Sequence, residues 1–210
     1  MKIDVWSDFT CPFCYLGESH LKQALAEVGL AAELNYHSYE LEADAHYVEG
    51  LDYQTYMVER QSMPEAQVDQ IFHHIAQNGA ASGLAFNFAQ AIPANTFTAH
   101  RIFQYAKEVG QGQVFFNRLY QAHFTEGLNI EDAQTLRELS EEIGLDLDQV
   151  EAILLDDSVY YEVVNEDIQQ AVDMDLEGVP FYVFNDQYAV AGAQPVAYFV
   201  EALKQIEAEA

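Results

Sequence analysis

Strand-like alternation occurs in this 210-residue chain only near its two ends, and the long stretch between is patterned for helix. That distribution leaves few folds open. KIDVWS, residues 2–7, suits a short buried strand. The spacing then predicts a helix from Pro12 to about Val28, with Cys14, Leu21, Ala24, Leu25 and Val28 on one apolar stripe. Gly29 stands where a left-handed cap would end it. Residues 31–41, AAELNYHSYEL, read as a second strand. At the far end, VPFYVF (179–184), the turn pair Asn185-Asp186 and QYAVAG (187–192) predict a hairpin, followed by a helix starting near Pro195.

From about residue 50 to 175 the period is helical. Pro64 should open a helix running toward Gln77, and Asn95 or Thr96 should cap one whose Ala99, Ile102, Phe103, Ala106 and Val109 share a face. Leu136, Leu139 and Ile143 line a further helix, and Ser158 is the expected cap of one carrying Tyr161, Val164, Ile168 and Val172. The expected architecture is α/β: β-α-β, a large all-helical insertion, then β-β-α. Residues 1–45 and 176–210 would form one domain and 46–175 the inserted one.

Half the residues are apolar and 13% aromatic, enough for a packed core rather than a disordered chain. No run approaches the roughly 18 apolar residues a membrane helix needs, so no membrane partner is expected. The N-terminus shows no basic-then-apolar leader, which makes the cytosol the expected location. With 35 acidic residues against 8 Lys plus Arg, the formal charge is −27. Such a surface repels nucleic acid and anionic lipid, and both are discounted as partners.

Both cysteines lie in FTCPFCYLG, at Cys11 and Cys14. Four readings compete. A structural disulfide would close only a short loop and is disfavoured by a reducing cytosol. A zinc site wants four ligands, yet there is no second Cys pair, and the adjacent His73 and His74 diverge by ~100° on a helix. Neither a metal nor another cofactor is expected. Two inert thiols are a third reading, although inert cysteines tend to be scattered. The fourth is a redox dithiol, which wants this spacing at a strand-to-helix junction. A free thiol with a pKa of about 8.5 is mostly protonated at neutral pH. A Cys11 at the mouth of a helix would face unsatisfied N–H groups and the positive dipole end, which favours its thiolate. Cys14, a turn inward, would be the buried resolving thiol, and Pro12 suits the first helical turn.

SDFTCPFCYLG, GVPFYVFN, and GAQP with NTFTAHRIFQYA together resemble the DsbA-type branch of the thioredoxin superfamily, most of all its cytoplasmic FrnE-type members. The resemblance spans nearly the whole chain. It implies a thioredoxin fold with a helical insertion and a thiol–disulfide oxidoreductase acting on protein or peptide thiols and disulfides, with glutathione a candidate electron donor. It further implies that the Val179–Pro180 bond is cis and lies opposite Cys11, with Pro180 a catalytic-site residue and Val179 a backbone docking point for substrate. There are departures. Thioredoxins carry an acid six residues before the first Cys, where this chain has Val5, and Asp4 should face the other side of the strand. Strongly oxidising relatives carry a histidine where Phe13 stands. An intermediate reduction potential, between about −270 and −120 mV, is expected.

Phe9, Phe13, Tyr15, Phe181 and Tyr182 flank the motif halves. Core packing accounts for most of them, while Phe13, with Pro12, is the candidate substrate-facing rim. His20 and His37 are candidates for proton relay, against the simpler reading of solvated or packed histidines. Two further functions compete: a glutathione-dependent enzyme like the 2-hydroxychromene-2-carboxylate isomerases and kappa-class transferases, and a non-enzymatic redox-sensing or chaperone module. The former usually carry serine at the first-Cys position, unlike CPFC.

Overall fold

The computed structural model of the chain describes residues 1–209. Its strands are β1 (Lys2–Ser7), β2 (Glu33–Ser38), β3 (Phe181–Phe184) and β4 (Tyr188–Ala191), in the sheet order β2-β1-β3-β4. β1 pairs parallel to β2 and antiparallel to β3, and β3 pairs antiparallel to β4. As a central strand, β1 is buried at every residue after Lys2, including the polar Asp4 and Ser7. The β3–β4 turn sets both Asn185 (φ 48°) and Asp186 (φ 56°) in the left-handed region, as a type I′ turn requires. Asn and Asp tolerate that region better than other side chains.

β2 is shorter than the 31–41 expected. Its register places Ser38 opposite Ser7, the last residue of β1, so residues 39–41 have no neighbouring strand to continue the ladder. α1 (Pro12–Val28) ends at Gly29 in the left-handed conformation, where the N–H of Leu30 reaches the carbonyl of Leu25 at 3.1 Å. α1 packs along the final helix, α9 (Val196–Glu209). Ile3, Val5, Leu21, Tyr182, Phe184 and Phe199 form the buried centre of this part.

Residues 42–166 form a second compact unit. It contains α2 (Tyr53–Gln61), α3 (Glu65–Ala81), α4 (Phe97–Glu108), α5 (Gly112–Gln121), a π-helical turn at Ala122–Glu126, α6 (Ala133–Glu142) and α7 (Leu147–Leu155). α8 (Tyr161–Asp173) begins here. Phe72 and Phe88 stack at 4.2 Å, with Tyr53 stacked on Phe72 at 5.6 Å. The buried Arg101 of α4 donates to the carbonyls of Ile153 and Asp156, both at 2.8 Å, so it caps the end of α7.

The first unit comprises Met1–Leu41 and the chain from Asp167 onward. Both boundaries precede those expected at 45/46 and 175/176. The second falls inside α8, whose Asp167 is bonded to the sheet. Its carboxylate meets His37 at 2.7 Å and accepts from the Ser38 N–H at 2.8 Å, and its carbonyl accepts from the Trp6 indole at 3.2 Å. Hydrophobic period alone runs through such a boundary without a break.

Candidate active site

The end of β1 delivers the chain to a tight turn in which the Cys11 N–H donates to the carbonyl of Asp8 at 3.1 Å. The Asp8 carboxylate, itself buried, holds the turn by accepting from the Thr10 hydroxyl at 3.1 Å and the Leu41 N–H at 2.7 Å. Cys11 is the N-cap of α1, with Pro12 at the first helical position, where its missing N–H leaves nothing unpaired. The Cys14 N–H donates to Cys11 Sγ at 3.3 Å. Both thiols are free and buried.

The Val179–Pro180 peptide is cis. Val179, 168 positions from Cys11, reaches the first thiol: Cys11 Sγ donates to the Val179 carbonyl at 3.5 Å. Pro180 is buried, whereas Phe13, between the two cysteines, is 41% exposed. Phe9 and Tyr182 are core side chains.

Burial pushes the Cys11 thiol well up from its ordinary range, and the neighbouring Cys14 thiol adds to the rise. The backbone N–H of Cys14 pulls the other way and is outweighed. Helix-terminus position alone predicts a thiolate. In this site the loss of water costs the anion more than one N–H returns.

Neither candidate relay histidine bonds a cysteine sulfur. His20 Nδ1 lies 2.8 Å from the Gln194 carbonyl, tying α1 to the GAQP segment. His37 lies between two carboxylates, Asp167 at Nδ1 (2.7 Å) and Asp4 at Nε2 (2.9 Å), with its ring stacked 4.3 Å from Trp6. Asp4 is therefore occupied in the sheet. Hydrogen bonds from His37, Lys2 and Asn35 offset the upward push of burial and hold its carboxyl below the usual range. Among the described residues no three His, Cys, Asp or Glu side chains gather to hold a metal ion.

Two further buried groups lie near the thiols, neither of them assigned a role from the sequence. Glu18, one helical turn beyond Cys14, accepts from Tyr36 Oη at 2.6 Å and pairs with Lys22 at 2.8 Å. The Tyr182 hydroxyl lies against the same helix at Gly17, where an added Cβ would approach it to 2.5 Å. Tyr182 is among the aromatics the sequence places beside the motif halves, without a role of its own. The missed signal is the helical spacing of Cys14, Gly17 and Glu18, which shares one face.

A mixed four-stranded sheet of this order, with a Cys-x-x-Cys pair at the first helix and a cis-proline before the hairpin, defines a thioredoxin-fold protein. The chain belongs to the DSBA-like thioredoxin domain family, matched over residues 2–204. It is 27% identical over 208 residues to the uncharacterized protein YwbO of Bacillus subtilis (strain 168), covering 97% of this chain and 96% of that one. A Streptomyces coelicolor crystal structure described as a probable DsbA oxidoreductase, SCO1869, superposes with a TM-score of 0.93 at 30% identity, covering 100% and 91% of the two chains. The Pseudomonas aeruginosa cytosolic disulfide reductase DsbM, solved with GSH, has a TM-score of 0.68 at 16% identity, with coverage of 99% and 100%. A 2-hydroxychromene-2-carboxylate isomerase shares the fold at a TM-score of 0.70 and 18% identity, with coverage of 98% and 96%. No helix is long and apolar enough to cross a membrane among the described residues.

Proposed function

We propose that this protein is a thiol–disulfide oxidoreductase of polypeptide substrates, with Cys11 as nucleophile and Cys14 as resolving thiol. The observation that carries the reading is the placement of Cys11. Its sulfur heads a helix beside a second thiol and faces the Val179 backbone, which an extended substrate could use for pairing. In the reductive direction, the Cys11 thiolate attacks a substrate disulfide and forms a mixed disulfide, releasing one substrate sulfur as thiolate. Cys14 then loses its proton to solvent and attacks Cys11 Sγ. The Cys11–Cys14 bond forms, and the second substrate sulfur leaves with the electron pair. The exposed Phe13 supplies apolar contact beside the reacting sulfur, Pro180 and Val179 form the opposite wall, and Pro12 shapes the rim. Glutathione suits the role of electron donor, and the cytosol suits a protein whose only cysteines are this free pair. The paired thiols weigh against the isomerase-type alternative, while turnover with a dithiol or glutathione donor separates the enzyme from a redox sensor.

Cys14→Ala should accumulate a stable mixed disulfide on Cys11 when a peptide disulfide is added, detected by intact mass. Cys11→Ala should form none on Cys14. Equal trapping by both variants would overturn the assignment of roles, and no turnover by the native protein with any dithiol donor would overturn the enzyme reading.

A further inference from the structure

The Tyr182 hydroxyl is 1% exposed as a residue and has no hydrogen-bond partner among the described residues. A buried hydroxyl left unpaired is unfavourable, and phenylalanine would fill the same space without that cost. The hydroxyl also occupies a defined place. It lies over Gly17, whose missing side chain makes the approach feasible: a Cβ there would sit 2.5 Å from Tyr182 Oη and 3.2 Å from both Pro180 Cγ and Ala193 Cα. Gly17 follows Cys14 by three residues, so the phenol is set against the helical face that carries the second thiol. The same corner holds Pro180, whose preceding carbonyl faces Cys11.

We propose that Tyr182 is a positioning residue for the resolving step, donating a hydrogen bond to the Cys14 sulfur as that sulfur becomes an anion. The proposal rests on the dithiol reading above. The hydroxyl is within hydrogen-bond geometry of neither sulfur in this structure, and an uncharged thiol, a weak acceptor, does little to draw it in; a thiolate is a strong one. Balance is simple. Cys14 gives its proton to solvent, its thiolate attacks the Cys11–substrate disulfide, the Cys11–Cys14 bond forms, and the leaving sulfur takes a proton from solvent. Tyr182 keeps its proton throughout. Burial pushes the phenol well above its ordinary range, and negative charge forming at Cys14, the Glu18 carboxylate and negative charge forming at Cys11 add to the rise, so it remains a donor at every working pH. The groups that bear on the pH response are these three, the Tyr36 and Lys22 partners of Glu18, and Asp8, which faces Cys11.

The test uses a chromogenic aryl disulfide with the reduced full-length protein. Cys11 attack releases the first aryl thiolate, and Cys14 attack on the resulting mixed disulfide releases the second, so two phases report the two steps. In Tyr182→Phe the second phase should slow about tenfold at neutral pH, the effect of losing one charge-assisted hydrogen bond. The pH at which it reaches half its limit should rise by about one unit. The first phase, measured separately in the Cys14→Ala background with and without Tyr182→Phe, should change less than about twofold. A purely structural role would slow both phases together or leave the pH profile in place, and either result overturns the proposal. An unchanged second phase overturns it while leaving the dithiol reading intact. If the native protein releases no second equivalent, the dithiol reading falls and the proposal falls with it. The isosteric variant removes an unpaired hydroxyl and should remain folded, as urea unfolding would show.

Discussion

At the level of single residues, the Cys11 sulfur sets what the proposed redox pair could do. A strongly oxidising pair owes its potential to a stabilised first thiolate, since that favours the reduced state. Here burial and the Cys14 thiol push Cys11 the opposite way. The reduction potential should therefore lie toward the thioredoxin end, about −270 mV, of the expected interval, as a glutathione or dithiol redox titration would read directly. The same displacement has a stability consequence. The folded thiol ionises at a higher pH than the unfolded one, so the contribution of Cys11 is complete below the unfolded value of about 8.5. It is then lost progressively as pH rises above that value and through the folded one. Urea unfolding of the reduced protein at rising pH, compared with Cys11→Ser, should show the native advantage shrinking across that window. A gap that widened with pH would place the folded thiol below its ordinary range.

At the level of elements, the sheet is joined at two points that are testable separately. One is the contact of α1 with β3 at Gly17. Gly17→Ala would normally gain about 1 kcal/mol of helix propensity, but its Cβ meets Tyr182 Oη at 2.5 Å, and overpacking of this kind costs about 1–3 kcal/mol. The variant should be destabilised, and adding Tyr182→Phe should restore part of the loss, with Ala193 and Pro180 at 3.2 Å keeping it partial. Simple additivity in that cycle would mean the two residues do not touch. The other point is His37, between Asp4 of β1 and Asp167 of α8. His37→Ala removes one partner from each of two buried carboxylates, which keep Lys2 and Asn35 on Asp4 and the Ser38 N–H on Asp167, and should cost about 1–3 kcal/mol in urea unfolding, followed by the stacked Trp6, the only tryptophan. These two points also show what was legible in the sequence. The order β-α-β, helices, β-β-α could be read because period and turn residues are local signals: Gly29, Asn185-Asp186 and Pro12 each mark an end. The DSBA-like fold was legible for the same reason, with CPFC and GVPFYVF standing at its two ends. For His37 the sequence allows a packed histidine or a relay but names no partner, because its carboxylates come from residues 4 and 167, and no local pattern pairs those. The Cys11 thiolate was expected from helix position alone, since the burial that outweighs it depends on the folded surroundings of the motif.

At the level of the whole molecule, the dominant quantity is the excess of 35 acidic over 8 basic side chains. Lys2, Lys22, Arg60, Arg101, Arg118 and Arg137 each already pair with a carboxylate, so the cations are largely committed and the surplus stays unneutralised. Self-repulsion of this size opposes the compact state and is screened as the Debye length falls from about 10 Å at 0.1 M salt to about 3 Å at 1 M. Added sodium chloride should therefore raise the melting temperature, by about 2–4 °C for each kcal/mol of repulsion removed in a chain this long. A flat or falling melting curve would mean that the acidic side chains are too far apart to repel. The same field acts on charged peptides. A disulfide peptide flanked by lysines is drawn toward the protein, and one flanked by glutamates is repelled, so their second-order rates at low salt should differ by about tenfold or more. Because this is long-range steering rather than contact, the difference should sit in the association step and collapse toward unity as salt is raised. A preference that survived high salt would instead locate a specific acidic contact beside Phe13 and Val179, and stopped-flow measurements of both peptides across a salt series would separate the two.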